Sequence, residues 1–221
     1  MDIPFLKDPK KVLKSQDFNT LTEVASHIYV QDFSLEESFC RNLIEKFEND
    51  PRKAKGHSGK GYDDETKDTW DLHLTSFDCY RTEDKTLHHA LTKSIKDFKK
   101  FLEYENEVKF FDCPCSSFAN DTGYQLQKYI PGGGYIWHQD GDGGLTMKRN
   151  QATGARSLVF MWYLSDVEWG GQTGFKHQNA LVEPKIGRLV LFPASWTHLH
   201  CAYPVVAGTK YIITGWVFEE T

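Results

Sequence analysis

From about residue 105 onward the chain breaks into short apolar or alternating runs, and this punctuation constrains the fold more than any other feature. The runs are Gly123–Ile130, Tyr135–His138, Arg156–Leu164, Gln172–Phe175, Ala180–Val182, Arg188–Phe192, Thr197–His200 and Thr209–Phe218, with Gly, Pro, Asn and Asp between them. Short strands separated by turn residues predict a closed or two-layered β structure, because each strand buries one face only by pairing around a shared interior.

The N-terminal half has a different period. Residues 21–33 read as a short strand entering a turn. Ser34 then stands as an N-cap before Leu35, Phe39, Leu43, Ile44 and Phe47, which recur at helical spacing until Pro51. A second helix is predicted over about 83–104, with Leu87, Leu91, Ile95, Phe98 and Leu102 on one side. The segment between them, Gly56–Asp78, opens with glycine and charge and ends in a strand-like alternation. The expected fold is α+β and mainly β: a double-stranded β-helix (jelly roll) with N-terminal helices packed on its outside. Residues 1–221 are expected to form a single domain, with 1–104 as a mixed support region and 105–221 as the jelly-roll core.

Composition narrows the function classes. Hydrophobic residues make up 39% and aromatic residues 14%, which supports a packed core. The net charge is −5, and the lysine clusters at 53–60 and 93–100 are flanked by carboxylates. Extended nucleic-acid binding is therefore not expected, since it needs a concentrated basic surface. No run is long and apolar enough for a membrane span, and the first residues lack the apolar stretch of a secretory signal. A soluble, cytoplasmic protein is expected. The five cysteines are scattered and odd in number, so reduced thiols are expected rather than a disulfide framework.

The chemistry is concentrated in Tyr129-Ile-Pro-Gly-Gly-Gly-Tyr135-Ile-Trp-His138-Gln-Asp140. Residues two apart on a strand face the same side, so His138 and Asp140 can offer adjacent ligands to one metal ion. A third ligand is needed. His198 and His200 are the C-terminal candidates, and strand parity alone does not separate them. In the last run Lys210, Ile212, Thr214 and Trp216 share one face, which places a cation among apolar neighbours. A buried ammonium is costly without an anion to receive it.

These residues, in this order, resemble the prolyl 4-hydroxylase branch of the 2-oxoglutarate oxygenases. The shared pattern comprises Tyr129, Gly132, Tyr135, His138 and Asp140; then Tyr163-Leu164; then Gly170-Gly-Gln-Thr-Gly-Phe175. His200 follows, four residues before Pro204 and ten before Lys210, and then Trp216. Only His200 satisfies both offsets, so the resemblance selects it as third ligand and leaves His198 as a neighbour. It covers about Gln125–Phe218.

The resemblance implies Fe(II), 2-oxoglutarate and dioxygen as cofactor and cosubstrates, with ascorbate stimulatory. It implies that His138, Asp140 and His200 hold the iron and that Lys210 pairs with the distal carboxylate of 2-oxoglutarate. Tyr129 and Tyr163 would donate hydrogen bonds to the cosubstrate or act as core aromatics, and Thr214 would assist Lys210. Gln127, Tyr135, Trp216 and His198 would line the pocket. The retained carboxylate at Asp140 favours oxygen transfer over halogenation. The implied reaction is hydroxylation of a C–H bond, of a prolyl residue in a peptide or protein, with release of succinate and carbon dioxide. A free amino acid or small metabolite is the alternative substrate. A non-oxidative cupin-like metal-binding module or sensor is the alternative of another class. The loops Gly56–Asp71 and Gly141–Ala155 are the expected substrate surfaces. Oligomeric state is not readable from the sequence.

Overall fold

The computed structural model describes residues 11–13, 27–57, 63, 65–106, 121–141 and 156–218. In chain order the elements are β1 (Lys11–Leu13), β2 (Tyr29–Gln31), α1 (Glu37–Glu48), β3 (Ala54–Lys55), β4 (Trp70–His73) and α2 (Arg81–Asn106). There follow β5 (Gln125–Tyr129), β6 (Tyr135–His138), β7 (Arg156–Tyr163), β8 (Trp169–Gly170) and β9 (Thr173–Phe175). The last are β10 (Ala180–Val182), β11 (Leu189–Pro193), β12 (His200–Ala202), β13 (Val205–Ala207) and β14 (Lys210–Phe218).

Two sheets carry the fold. The larger runs β2-β11-β7-β14-β5-β4-β3, the smaller β1-β10-β9-β12-β6, and β13 pairs with β8 beside them. Strands β2, β3 and β4, from the N-terminal half, extend the larger sheet at both ends. Among the strands named here the pairings are antiparallel except β1 on β10.

Strand β7 shows why the expected layers form. Leu158, Phe160 and Trp162 face one side and join a core with Leu87, Leu91, Ile95 and Phe98 of α2. Val159, Met161 and Tyr163 face the other side and join Phe175, Val182 and Phe192 between the sheets. Both faces are covered, so this strand reads as an unbroken apolar run rather than an alternation. The helices thus pack on the outer face of the larger sheet, as Tyr29 against Phe98 and Phe101 also shows.

Several boundaries differ from the sequence reading. Ser34 does not cap α1; Glu36 holds that position without a side-chain bond. The Ser34 hydroxyl instead accepts the indole N–H of Trp162 at 3.0 Å, a partner 128 residues away that local sequence cannot announce. The second helix starts two residues before the predicted 83 and ends two after 104. Thr197–His200 is not one strand: Trp196–His198 forms a 3₁₀ turn and β12 begins at His200. Part of the Gly56–Asp71 loop runs along β6, with Ile136 N donating to Thr66 O and Asp68 N to Gly134 O. Residues 142–155 of the second expected substrate loop, and Cys113 and Cys115, lie outside the described residues. Among the described residues no helix is long and apolar enough to cross a membrane.

Candidate active site

His138 ends β6 and His200 opens β12, and the two are directly opposed partners in the antiparallel ladder. Asp140 lies just beyond β6. One donor atom from each of the three lies within 4.8 Å of the others. His138 Nε2 is 3.7 Å from Asp140 Oδ1, and His200 Nε2 is 3.5 Å from Asp140 Oδ2. Each imidazole is oriented from behind. His138 Nδ1 lies 2.8 Å from Ile136 O and His200 Nδ1 lies 2.9 Å from His198 O. A carbonyl only accepts, so each Nδ1 carries a proton and each Nε2 is turned to the carboxylate.

The electrostatics agree with a cation site. Burial, followed by the nearby His200, lowers His138 to about 4, which keeps its imidazole neutral at physiological pH. Burial pushes Asp140 upward, but the hydrogen bond and charge of His200 outweigh it and hold the carboxyl ionised. Two imidazoles and one carboxylate on one side of a cavity form the donor set that suits non-haem iron(II). The cavity has a volume of about 370 Å³.

A register shift in the β6–β12 ladder explains an apparent parity conflict. His200 opposes His138, while Ala202 opposes Tyr135, so β6 carries one extra residue. Tyr135 therefore reaches the cavity despite its odd offset, and its ring stacks on His138 at 3.6 Å.

Lys210 lies at another wall of this cavity and is 1% exposed. Its Nζ donates to Gly171 O at 3.0 Å and sits 4.1 Å from the centre of the Tyr129 ring. No carboxylate among the described residues pairs with it. Burial lowers its pKa to about 7. An ammonium buried without an anion, in a cavity that also holds a metal-ligand triad, fits a cosubstrate that chelates metal at one end and carries a carboxylate at the other.

The remaining predicted site residues divide. Tyr129, Gln127, Tyr135, Thr214 and Trp216 all line the cavity. The Thr214 hydroxyl donates to Phe160 O at 3.1 Å, so its proton is committed to the backbone. Tyr163 is fully buried and does not line the cavity. Its hydroxyl pairs with Thr173 Oγ1 at 2.6 Å, and it is Thr173 that reaches the cavity wall. His198 does not line the cavity either; its ring meets Thr197 Oγ1, and its contribution is the carbonyl that orients His200. The 3₁₀ turn breaks the strand parity that would have turned both histidines inward.

Further cavity residues were given no site role in the sequence, and four of them bear on the polarity of the site. Arg156 lies at the cavity with its guanidinium 3.7 Å from the centre of the Trp216 ring, and donates to Asp140 O. Lys67 and Gln125 join Gln127 along one wall, and Thr173 stands before Tyr163. Only Gln125 had a local signal, its shared parity with Gln127 and Tyr129.

Residues 124–218 match the family model of the 2OG-Fe(II) oxygenase superfamily. Prolyl 4-hydroxylase subunit alpha-1 of Gallus gallus is 38% identical over 147 residues, covering 61% of this chain and 28% of that protein. A PKHD-type hydroxylase of Synechococcus sp. (strain CC9605) is 37% identical over 92 residues, covering 39% of this chain and 37% of its own length. The chain thus spans well under half the length of these curated relatives. Among solved structures, a Trichoplax adhaerens prolyl hydroxylase in complex with a hypoxia inducible factor peptide fragment aligns with a TM-score of 0.66 at 17% identity. It covers 87% of this chain and 84% of that one. A Pseudomonas putida prolyl-4-hydroxylase aligns with a TM-score of 0.54 at 16% identity, covering 87% and 92%. At these identities the structures speak for the shared fold. Residues 124–218 are therefore similar to the 2OG-Fe(II) oxygenase superfamily, and the chain resembles prolyl hydroxylases in sequence and shares their fold.

Proposed function

We propose that this chain is a 2-oxoglutarate-dependent dioxygenase that hydroxylates a prolyl residue of a polypeptide, releasing succinate and carbon dioxide. The observation that carries the reading is the pairing of two features in one cavity: the converging His138–Asp140–His200 donors and the buried, anion-free Lys210. A cupin-like binding module has no use for the second.

His138, Asp140 and His200 would hold iron(II). With 2-oxoglutarate and dioxygen, the metal supplies an oxidant strong enough to insert one oxygen atom into an unactivated C–H bond. The protein's own part is placement. Lys210 receives the distal carboxylate, and the Tyr129 ring packs against its ammonium. Ile136 and His198 fix the two imidazoles through their carbonyls. Tyr135 and Trp216 wall the cavity, and the apolar Val159, Met161 and Phe192 close its interior and keep it dry.

The substrate reading is supported by the prolyl 4-hydroxylase relatives and by the peptide-bound neighbour. We read residues 105–221 as the catalytic core and 1–104 as its support. We place the protein in the cytoplasm, consistent with the free thiols of Cys40, Cys79 and Cys201. The test is anaerobic purification, addition of iron(II), ascorbate and 2-oxoglutarate, and measurement of succinate on admitting air, with and without proline-containing peptides. Turnover that needs iron and vanishes in Lys210→Met supports the reading. A protein that loads metal yet neither binds 2-oxoglutarate nor makes succinate overturns it.

A further inference from the structure

The two ends of the proposed cosubstrate site stand on different sheets. His138 and His200 lie on β6 and β12 of the smaller sheet, and Lys210 lies on β14 of the larger. An acid that chelates the metal and also reaches Lys210 must span the gap between the sheets. That gap therefore sets the length of acid that satisfies both ends.

Beside the cavity the chain itself crosses from one sheet to the other. Residues 66–68 run along the outer edge of β6. Ile136 N donates to Thr66 O at 3.1 Å, Asp68 N donates to Gly134 O at 3.0 Å, and Lys67 is the bridge partner of Tyr135. Two residues later the chain enters β4, where Asp71 pairs with Gln127 of β5. Strand β5 in turn pairs with β14, with Tyr129 opposite Lys210. The corner at residues 68–70 thus joins the edge of the metal-ligand sheet to the sheet that carries Lys210.

The side chains of Lys67 and Asp71 clamp this corner from within. Lys67 Nζ donates to Asp71 Oδ2 at 2.7 Å, and the two side chains are 4% and 8% exposed. Gln125 Nε2 donates to the same oxygen at 3.0 Å. On the outside Lys55 Nζ holds Asp68 Oδ1 at 2.6 Å, but that pair is about a third exposed, where water competes and such a contact contributes little. The inner pair is shielded from water and salt. A buried ion pair adds little net stability after desolvation, yet it resists opening, because opening leaves a buried charge unpaired. The packing around it has no slack. A Cβ added at Gly56 would lie 2.1 Å from Thr69 Oγ1 and 2.8 Å from Asp71 Oδ2.

We propose that the Lys67–Asp71 pair positions the cosubstrate site: it fixes the gap between the metal-ligand sheet and the Lys210 sheet, and so selects 2-oxoglutarate over the homologue longer by one methylene. The proposal rests on the oxygenase reading above and names a determinant of cosubstrate length for that same site. Both are positioning residues. Lys67 lines the cavity, and Asp71 acts behind it.

The test uses the full chain loaded with manganese(II), which supports binding without turnover. Calorimetry gives the affinities for 2-oxoglutarate and for 2-oxoadipate, its homologue with one more methylene. The proteins are wild type, Lys67→Met and the double variant Lys67→Met/Asp71→Asn. Wild type is expected to prefer 2-oxoglutarate by at least about tenfold, the discrimination that a fixed site makes over one methylene. In both variants the preference is expected to fall to about threefold or less, because the freed corner lets the sheets adjust to the longer acid. The ratio is the decisive reading, since a general loss of folding or of metal affinity weakens both acids alike. The double variant leaves no buried charge unpaired and so guards against a folding defect in Lys67→Met. Folded variants that keep the wild-type preference within about twofold overturn the proposal. So does a wild type that binds the two acids equally. A wild type that takes up manganese(II) but binds neither acid overturns the oxygenase reading, and the proposal with it.

Discussion

His138 and His200 are held as a matched pair: they oppose each other across the β6–β12 ladder, and each uses Nδ1 to reach the carbonyl two residues before it. The same backbone device thus fixes both imidazoles with Nε2 turned to Asp140. Preorganisation of this kind costs little on metal binding, since neither ring has to be reoriented.

Removal of a ligand is therefore expected to abolish the site rather than loosen it. Asp140→Ala leaves two imidazoles and no anion. Its manganese(II) affinity, read by electron paramagnetic resonance, should fall by more than the ~10–100-fold typical of losing an outer partner of a ligand. Equal affinity in variant and wild type would mean that the metal binds elsewhere.

Lys210 predicts a pH dependence whose sign follows from its burial. Its folded pKa lies at about 7, below the ordinary lysine value of 10.5. Between these values the unfolded chain binds more protons than the folded one, so stability rises with pH across that window. The full effect is on the order of a few kcal/mol, since each tenfold change in proton affinity is worth about 1.4 kcal/mol. Urea unfolding from about pH 7 to 10 should show this rise in wild type and a smaller one in Lys210→Met. Binding of 2-oxoglutarate at about pH 8 should draw in a proton, seen as a dependence of the calorimetric heat on buffer. Buffer-independent heats, equal to those of the methionine variant, would count against a neutral lysine in the empty cavity.

Tyr163 and Thr173 separate a structural hydroxyl from a cavity one. Tyr163→Phe removes the 2.6 Å bond to Thr173 and is expected to cost about 1 kcal/mol of stability. Its affinity for 2-oxoglutarate should change much less than that of Lys210→Met. A loss comparable to that of Lys210→Met, without a drop in unfolding midpoint, would place Tyr163 in direct contact with the ligand.

The adjacent glycines of β8 and its turn should differ in their tolerance. Gly170 has φ of +82°, and an added Cβ would lie 2.4 Å from Pro204 O, a backbone atom that cannot step aside. Gly171 has φ of +74°, but its Cβ would meet only ordinary contacts near 3.4 Å, one of them the Lys210 stem. Gly170→Ala is thus expected to destabilise by more than the roughly 1 kcal/mol set by the left-handed backbone alone, and Gly171→Ala by about that amount. Denaturant midpoints decide the order; a reversal would show that the β8–β13 contact is more pliant than the geometry implies.

Much of this was legible before the fold was known. The two-residue spacing of His138 and Asp140, the offsets that single out His200, and the parity of Lys210 with Ile212, Thr214 and Trp216 all survive in three dimensions. The first and the last depend on strand alternation, a property of the local chain that is written in consecutive residues, whereas the choice of His200 over His198 came from the family resemblance. Alternation failed where the strand itself failed. The 3₁₀ turn at Trp196–His198 took His198 off the cavity, and the extra residue in β6 brought Tyr135 onto it.

By itself the sequence determined where imidazole, carboxylate and ammonium groups stand along the chain, and on which face of their strands, because sterics within a few residues set that face. Tertiary structure alone decided depth and partnership. Tyr163 was placed behind Thr173, Ser34 beneath Trp162, and Asp71 against the Gln125 amide. These pairings come from strand register and layer packing between segments far apart in the chain, and no local period encodes them.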